Sequence, residues 1–281
     1  MGMPFFSAGT DPGSSLPEVL RRLGHDPFAM TGVMGSDHGL DIPHATTCVA
    51  VKYVDGVVMA GDRRATSGHL ISHRFMEKVV EADRYSAVAI AGAAGPAMEM
   101  VKLFQLQLEH YEKVEGSHLS LEGKANQLAQ MVRSHLPAAM QGMVVVPLFA
   151  GYDLRRQAGR LFQYDVTGGR YEETGFATTG SGSLHAGTVI KLGYRDGLDR
   201  TTVIDLAINA LFQAADEDSA TGGPDLVRGI YPTMATITTE GFTHLAESEV
   251  AERFGALVAR LKTPESTSSS GSSPTMGSHQ S

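Results

Sequence analysis

Two apolar runs meeting at Asp55-Gly56 constrain this chain more than any other feature. Residues 47–53 (Thr-Cys-Val-Ala-Val-Lys-Tyr) and 57–61 (Val-Val-Met-Ala-Gly) flank a dipeptide typical of tight two-residue turns, which predicts a β-hairpin. The remaining elements follow from the same kind of reading. Lys78–Val80 and Tyr85–Ala91 predict a second hairpin. Ala97–Tyr111 predicts a helix, because Met98, Val101, Phe104 and Leu108 recur at helical spacing, and Leu121–His135 predicts another. Strands are expected at 143–151, 159–166 and 171–178, with Gly168-Gly169 as a turn. Ser183–Gly193 and Thr201–Ala215 read as helices, Thr233–Thr239 and Phe242–Ala246 as a hairpin turning at Glu240-Gly241, and Glu247–Leu261 as a closing helix. Antiparallel strand groups separated by pairs of helices give an α+β order, not the alternation of a parallel α/β sheet. Two sheets covered by helices on their outer faces would bury every apolar stripe.

The folded body is expected at residues 46–262 of the 281. Residues 1–45 scatter Gly, Pro, Ser and Asp and read as a weakly ordered leader, while 263–281 form a Ser/Gly-rich tail expected to be disordered. A net charge of −8 argues against a general nucleic-acid binder. The single cysteine, Cys48, permits no intrachain disulfide and no thiol-based zinc site. No apolar run reaches the length of a membrane span and the N-terminus lacks a signal-peptide pattern, so a cytoplasmic location is expected.

Thr46-Thr47 heads the first apolar run. A threonine hydroxyl needs a base to become a nucleophile, and a terminal amine is one such base. An α-amine has a pKa of about 7.7–8.0 against about 10.4 for lysine, so it keeps a useful neutral fraction near pH 7. Cleavage before Thr46 would give one residue both groups; in the uncut chain the same nitrogen is a non-basic amide. By itself, Thr-Thr is also ordinary strand composition. Lys78 stands in the apolar stretch Met76-Glu77-Lys78-Val79-Val80, either exposed or buried and paired. Gly180-Ser181-Gly182-Ser183 reads as a tight glycine turn, without the lysine or βαβ setting of a phosphate loop. His69 and His73, four apart, could share a helix face as metal ligands, although a surface pair is the simpler reading. Asp216-Glu217-Asp218 ends a helix against its macrodipole, which favours a purpose for at least one of the acids.

Taken together, Thr46-Thr47, Val58–Arg64, Lys78, the Gly92 turn, Gly180–Ser183 and Asp218–Gly223 resemble the β subunits of actinobacterial 20S proteasomes across 46–262. The resemblance implies a four-layer α-β-β-α sandwich of the N-terminal nucleophile type and a threonine endopeptidase without metal or cofactor. By it, Thr46 would be nucleophile and, after removal of a propeptide 1–45, amine base. Lys78 would tune its proton chemistry with Asp62 as counter-charge, and the Gly92 N–H would serve the oxyanion. Ser181, Asp218 and Thr221 would position the amine and its water. Thr66 and Ala94 would bind the substrate backbone as an added strand. Ala65, Met76, Val80, Ile90, Ala94 and Met98 would line an apolar specificity pocket, implying cleavage after hydrophobic residues.

The implied partners are proteasome α subunits in an α7β7β7α7 barrel, other β subunits in a heptameric ring, a ring-shaped ATPase, and unfolded substrates carrying a ubiquitin-like tag. Two departures stand out. Ala45 occupies the position before the nucleophile where many members have glycine, and Thr221 stands where many have serine. Rival readings are a non-catalytic ring subunit, the simpler two-ring bacterial threonine protease, and a small-molecule amidase of the same fold. A tension also remains: an ideal hairpin puts Asp62 on the face opposite Thr46, so a bulge or bend is expected near Gly61.

Overall fold

The computed structural model describes residues 46–67 and 69–262. The expected leader and tail, and Ala45 with them, lie outside the described residues. The body contains two five-stranded antiparallel sheets. In the first, β1 (Thr47–Tyr53) lies between β10 (Phe176–Gly180) and β2 (Gly56–Gly61), followed by β11 (Thr233–Thr238) and β12 (Gly241–His244). The second runs β5 (Val79–Asp83), β6 (Ser86–Gly92), β7 (Val145–Asp153), β8 (Ala158–Tyr164) and β9 (Arg170–Glu173). A separate hairpin pairs β3 (Ala65–Ser67) with β4 (Leu70–His73).

Three apolar cores stack the body into four layers. Between the sheets lie Cys48, Ala50, Val57, Met59, Leu148 and Leu161 among others. Outside the first sheet, α4 (Ser183–Gly193), α5 (Arg200–Glu217) and α6 (Glu247–Lys262) pack on Val49, Val51, Val58 and Ala60. Outside the second, α1 (Ala94–Glu115) and α2 (Leu121–Ser134) pack on Val88, Ile90, Phe149 and Phe162. A short α3 (Leu136–Ala139) follows α2. This is the expected α-β-β-α sandwich. Successive residues of β1 enter different cores, so both faces are buried and the strand reads as a continuous apolar run without alternation.

Two expectations need correction. The first hairpin turns at Val54-Asp55, not at Asp55-Gly56: Gly56 already pairs with Tyr53, and none of the three residues has a positive φ. Gly56 is small for another reason, since a Cβ there would run into the Ile237 carbonyl of neighbouring β11. The single strand expected at 171–178 is two. The chain breaks after Glu173, and β10 crosses to the first sheet to pair with β1. His69 and His73 lie on no helix. His69 precedes β4 in a turn and His73 is its last residue, both exposed as the simpler surface-pair reading has them, and no group of His, Cys, Asp and Glu among the described residues is arranged to hold a metal. No helix among the described residues is long and apolar enough to cross a membrane.

Candidate active site

The head of β1 is held from both flanks. On the β2 side, the register runs without a shift from Tyr53 opposite Gly56 to Cys48 opposite Gly61. There is thus no bulge. β2 ends at Gly61 with no bend at Asp62 either, and the Asp62 N–H still donates to the Thr47 carbonyl (3.1 Å). The Asp62 side chain reaches back to the head of β1, where the Thr47 N–H donates to Asp62 Oδ1 (2.8 Å). On the β10 side, the Ser181 N–H donates to the Thr46 carbonyl (2.9 Å). Gly180 makes that approach possible: its φ is +98°, and a Cβ there would collide with the same carbonyl oxygen. Thr46 is 3 % exposed.

Asp62 is fully buried and all its acceptor capacity is used. Oδ1 takes the Thr47 amide and Lys78 Nζ (2.7 Å), and Oδ2 takes the amides of Arg64 (2.9 Å) and Gly222 (2.9 Å). A buried carboxylate needs such compensation, because its desolvation is costly. Lys78 is equally buried and also donates to the Arg64 carbonyl (2.6 Å). The paired alternative for this lysine is therefore the correct one. Gly61 lets the strands close over it, since a Cβ would stand 3.0 Å from Cys48 Sγ and 3.2 Å from Lys78 Cβ. The Cys48 thiol points to the Ile90 carbonyl (3.7 Å), and its pKa is pushed up to about 12 by burial, which outweighs the nearby Lys78 charge.

A second carboxylate stands across β1. Asp218 is the C-cap of α5 and accepts from Ser181 Oγ (2.5 Å), Thr221 Oγ1 (2.6 Å) and the Ala220 amide (3.0 Å). Burial alone would raise this carboxyl. The Ser181 and Thr221 hydroxyls, the Ala220 amide and the His185 charge outweigh it and hold it below the ordinary carboxylate range. Thr47 Oγ1 lies 2.5 Å from Thr221 Oγ1 and accepts from the Gly182 N–H (3.0 Å).

The structure therefore gathers Thr46, Asp62, Lys78, Ser181, Asp218 and Thr221 around the first two residues of the described body. Thr47, the Arg64 carbonyl and the amides of Gly182 and Gly222 also belong to the arrangement; the sequence reading quoted these residues within its motifs but gave them no role. Backbone groups carry no residue-type signal, and Thr47 was hidden by its role in starting a strand. Gly92 ends β6 at φ +118°, where a Cβ would strike the Val144 carbonyl, and α1 begins two residues later. β6 is tied to the lysine through the Ile90 N–H and the Lys78 carbonyl (3.0 Å). Met76, Val80 and Ile90 join the core under α1. Ala94 opens that helix and Met98, one turn on, is exposed. Ala65 and Thr66 lie on β3, buried and half-buried.

Comparison with known proteins agrees with this picture. Residues 42–227 match the family model described as proteasome subunit. The chain is 52 % identical over 253 residues to the proteasome subunit beta of Acidimicrobium ferrooxidans, covering 90 % of this chain and 92 % of that one. It is 56 % identical over 227 residues to the proteasome subunit beta of Streptomyces griseus subsp. griseus, covering 80 % and 81 %. With that of Acidothermus cellulolyticus it shares 56 % over 214 residues, 75 % and 74 % of the two chains. On this similarity the chain belongs to the proteasome subunit family, as a β-type subunit, and is a hydrolase of the threonine endopeptidase class.

Proposed function

We propose that this chain is the catalytic β subunit of a 20S proteasome core in which Thr46 hydrolyses peptide bonds through an acyl-enzyme ester. The observation that carries the reading is the double anchoring of the Thr46–Thr47 peptide. Its carbonyl sits on the Ser181 amide and its N–H on the buried Asp62–Lys78 pair. Removal of residues 1–45 at the Ala45–Thr46 bond makes the Thr46 nitrogen an α-amine, able to take the proton from Oγ1 as the hydroxyl attacks the carbonyl carbon and to give it to the departing amine as the peptide C–N bond breaks. Lys78 supplies positive charge beside the nucleophile. Ser181, Asp218 and Thr221 orient the amine and the water that later hydrolyses the ester. The Gly92 N–H, close to the positive end of α1, stabilises the oxyanion.

Substrate lies as an added strand against Thr66 and Ala94. Its side chain before the scissile bond enters a pocket of Ala65, Met76, Val80, Ile90, Ala94 and Met98, whose apolar character favours cleavage after hydrophobic residues. The domains are a removable leader 1–45, a catalytic body 46–262 and a tail 263–281. The subunit forms heptameric β rings between α rings in the cytoplasm. A ring-shaped ATPase feeds the barrel with unfolded proteins bearing a ubiquitin-like tag.

The test is the intact mass and peptidase activity of the chain co-expressed with an α subunit, for wild type and Thr46→Ala. Loss of residues 1–45 and hydrolysis of a fluorogenic peptide in the wild type alone are expected. An unprocessed, inactive wild type would sink the reading in favour of a non-catalytic ring subunit.

A further inference from the structure

Thr47 has no exposed surface, yet each of its polar atoms is committed to the site. Its N–H shares Asp62 Oδ1 with Lys78, and its carbonyl accepts the Asp62 amide. The direction of its hydroxyl bond follows from proton counting. Asp218 is ionised and can only accept, so the single Thr221 hydroxyl proton goes to Asp218 Oδ2. Thr221 Oγ1 must then accept from Thr47, at 2.5 Å, while Thr47 Oγ1 accepts from the Gly182 N–H at 3.0 Å. A one-way chain results: Gly182 amide, Thr47 hydroxyl, Thr221 hydroxyl, Asp218. Gly182 has to be glycine for it, since a Cβ would intrude on both hydroxyl oxygens.

We propose that Thr47 is a positioning residue of the reaction: its amide and hydroxyl couple the Asp62–Lys78 pair to the Asp218–Thr221–Ser181 cluster and fix the nucleophile between them. This rests on the reading of Thr46 as the nucleophile. The coupling also has an electrostatic consequence. The Thr47 proton occupies a lone pair of Thr221 Oγ1 and polarises the bond from Thr221 to Asp218. Without it, Thr221 becomes a better acceptor, and on the reading that Ser181, Asp218 and Thr221 orient the Thr46 α-amine, that amine holds its proton to higher pH.

The variants are Thr47→Val, which keeps the shape and loses the hydroxyl, and Thr47→Ser, which keeps the hydroxyl. Each is made as the full chain, co-expressed with an α subunit, with wild type and Thr46→Ala in parallel. For Thr47→Val we expect kcat for a fluorogenic peptide to fall about tenfold with little change in KM. The acid limb of its rate profile should move up by about half a pH unit. Thr47→Ser should restore both. A Val variant that retains its leader while the Ser variant loses it supports the same coupling, since both reactions use one nucleophile. Unchanged kcat and pH profile in Thr47→Val would overturn the proposal, and so would equal loss in Val and Ser with no shift of the profile. If instead wild type and Thr46→Ala were equally inactive, it is the reading of Thr46 that fails.

Discussion

Asp62 and Lys78 lie 2.7 Å apart with no exposed surface on either side chain. In that setting the partners cannot be removed singly. Asp62→Asn places an amide group among four donors and takes the Asp62 charge from the ammonium, and Lys78→Ala takes the Lys78 charge from a buried carboxylate. Each change should cost about 3–5 kcal/mol of stability. Each should also lower kcat/KM by about a thousandfold or more, because residues acting as a unit fail together. Thermal unfolding and peptide hydrolysis on the same preparation check both; a stable, active Asp62→Asn would contradict the geometry.

Gly180→Ala tests the close approach of β10 to the nucleophile. Alanine is strained at φ +98°, and its Cβ would displace the Thr46 carbonyl. We expect about 1–3 kcal/mol of destabilisation and a loss in kcat of about a hundredfold, since small misplacements of a reacting group are expensive. Gly255→Ala on α6, whose Cβ would meet nothing within 4 Å, is the control and should keep most of the activity.

Cys48 is the single cysteine and is fully buried behind the lysine. Its thiol, pushed up to about 12, stays protonated and unreactive in the native state. Native protein should therefore resist a thiol reagent at pH 8, and denatured protein should titrate one thiol per chain. Linkage gives a second readout. The folded pKa lies above the unfolded value, so this stabilisation is complete below about pH 8.5 and is lost as pH rises towards 12. Wild type should lose stability relative to Cys48→Ala across that window.

Arg160, 4 % exposed, binds Glu122, Asp153 and Glu172 and so ties α2 to β7, β8 and β9. Arg160→Met should cost about 2 kcal/mol, below the range for a fully buried pair, because Glu122 and Glu172 remain 44 % and 42 % exposed and partly screened. Hydrogen bonds from Arg160 are the main cause holding Glu122 and Glu172 below their ordinary range. Their contribution is present above the unfolded value of about 4.3 and is lost as pH falls through the folded values. The gap between wild type and variant, measured by denaturant midpoint, should close in acid.

Much of the fold was legible because its elements are long and cleanly periodic. Helices α1, α2, α4, α5 and α6 fall where the apolar spacing put them. The failures have local causes. Asp55-Gly56 looked like a left-handed turn, but the glycine answers to Ile237 on β11, a sheet neighbour far along the chain that no local signal reveals. The run 171–178 carries only the single Gly175 at its break, a signal equally compatible with a bulge in one strand, so one strand was read where two serve different sheets. The β3–β4 hairpin is short and exposed, with little apolar pattern to betray it. For the site, side chains with distinctive chemistry such as Asp62, Lys78 and Asp218 could be picked out through the resemblance. Their backbone partners could not, because an amide at residue 182 or 222 looks in sequence like any other.

The pairing of Asp62 with Lys78 has a mechanical side. Asp62 hangs from the end of β2 in one sheet and Lys78 precedes β5 in the other. The ion pair is therefore a rivet through the sandwich, and sliding of one sheet over the other would shear it before either sheet lost its own ladder. Competence for reaction then reports the relative alignment of the two sheets, so heat or denaturant should abolish turnover and inter-sheet packing in one step, leaving no loosened sandwich that still works.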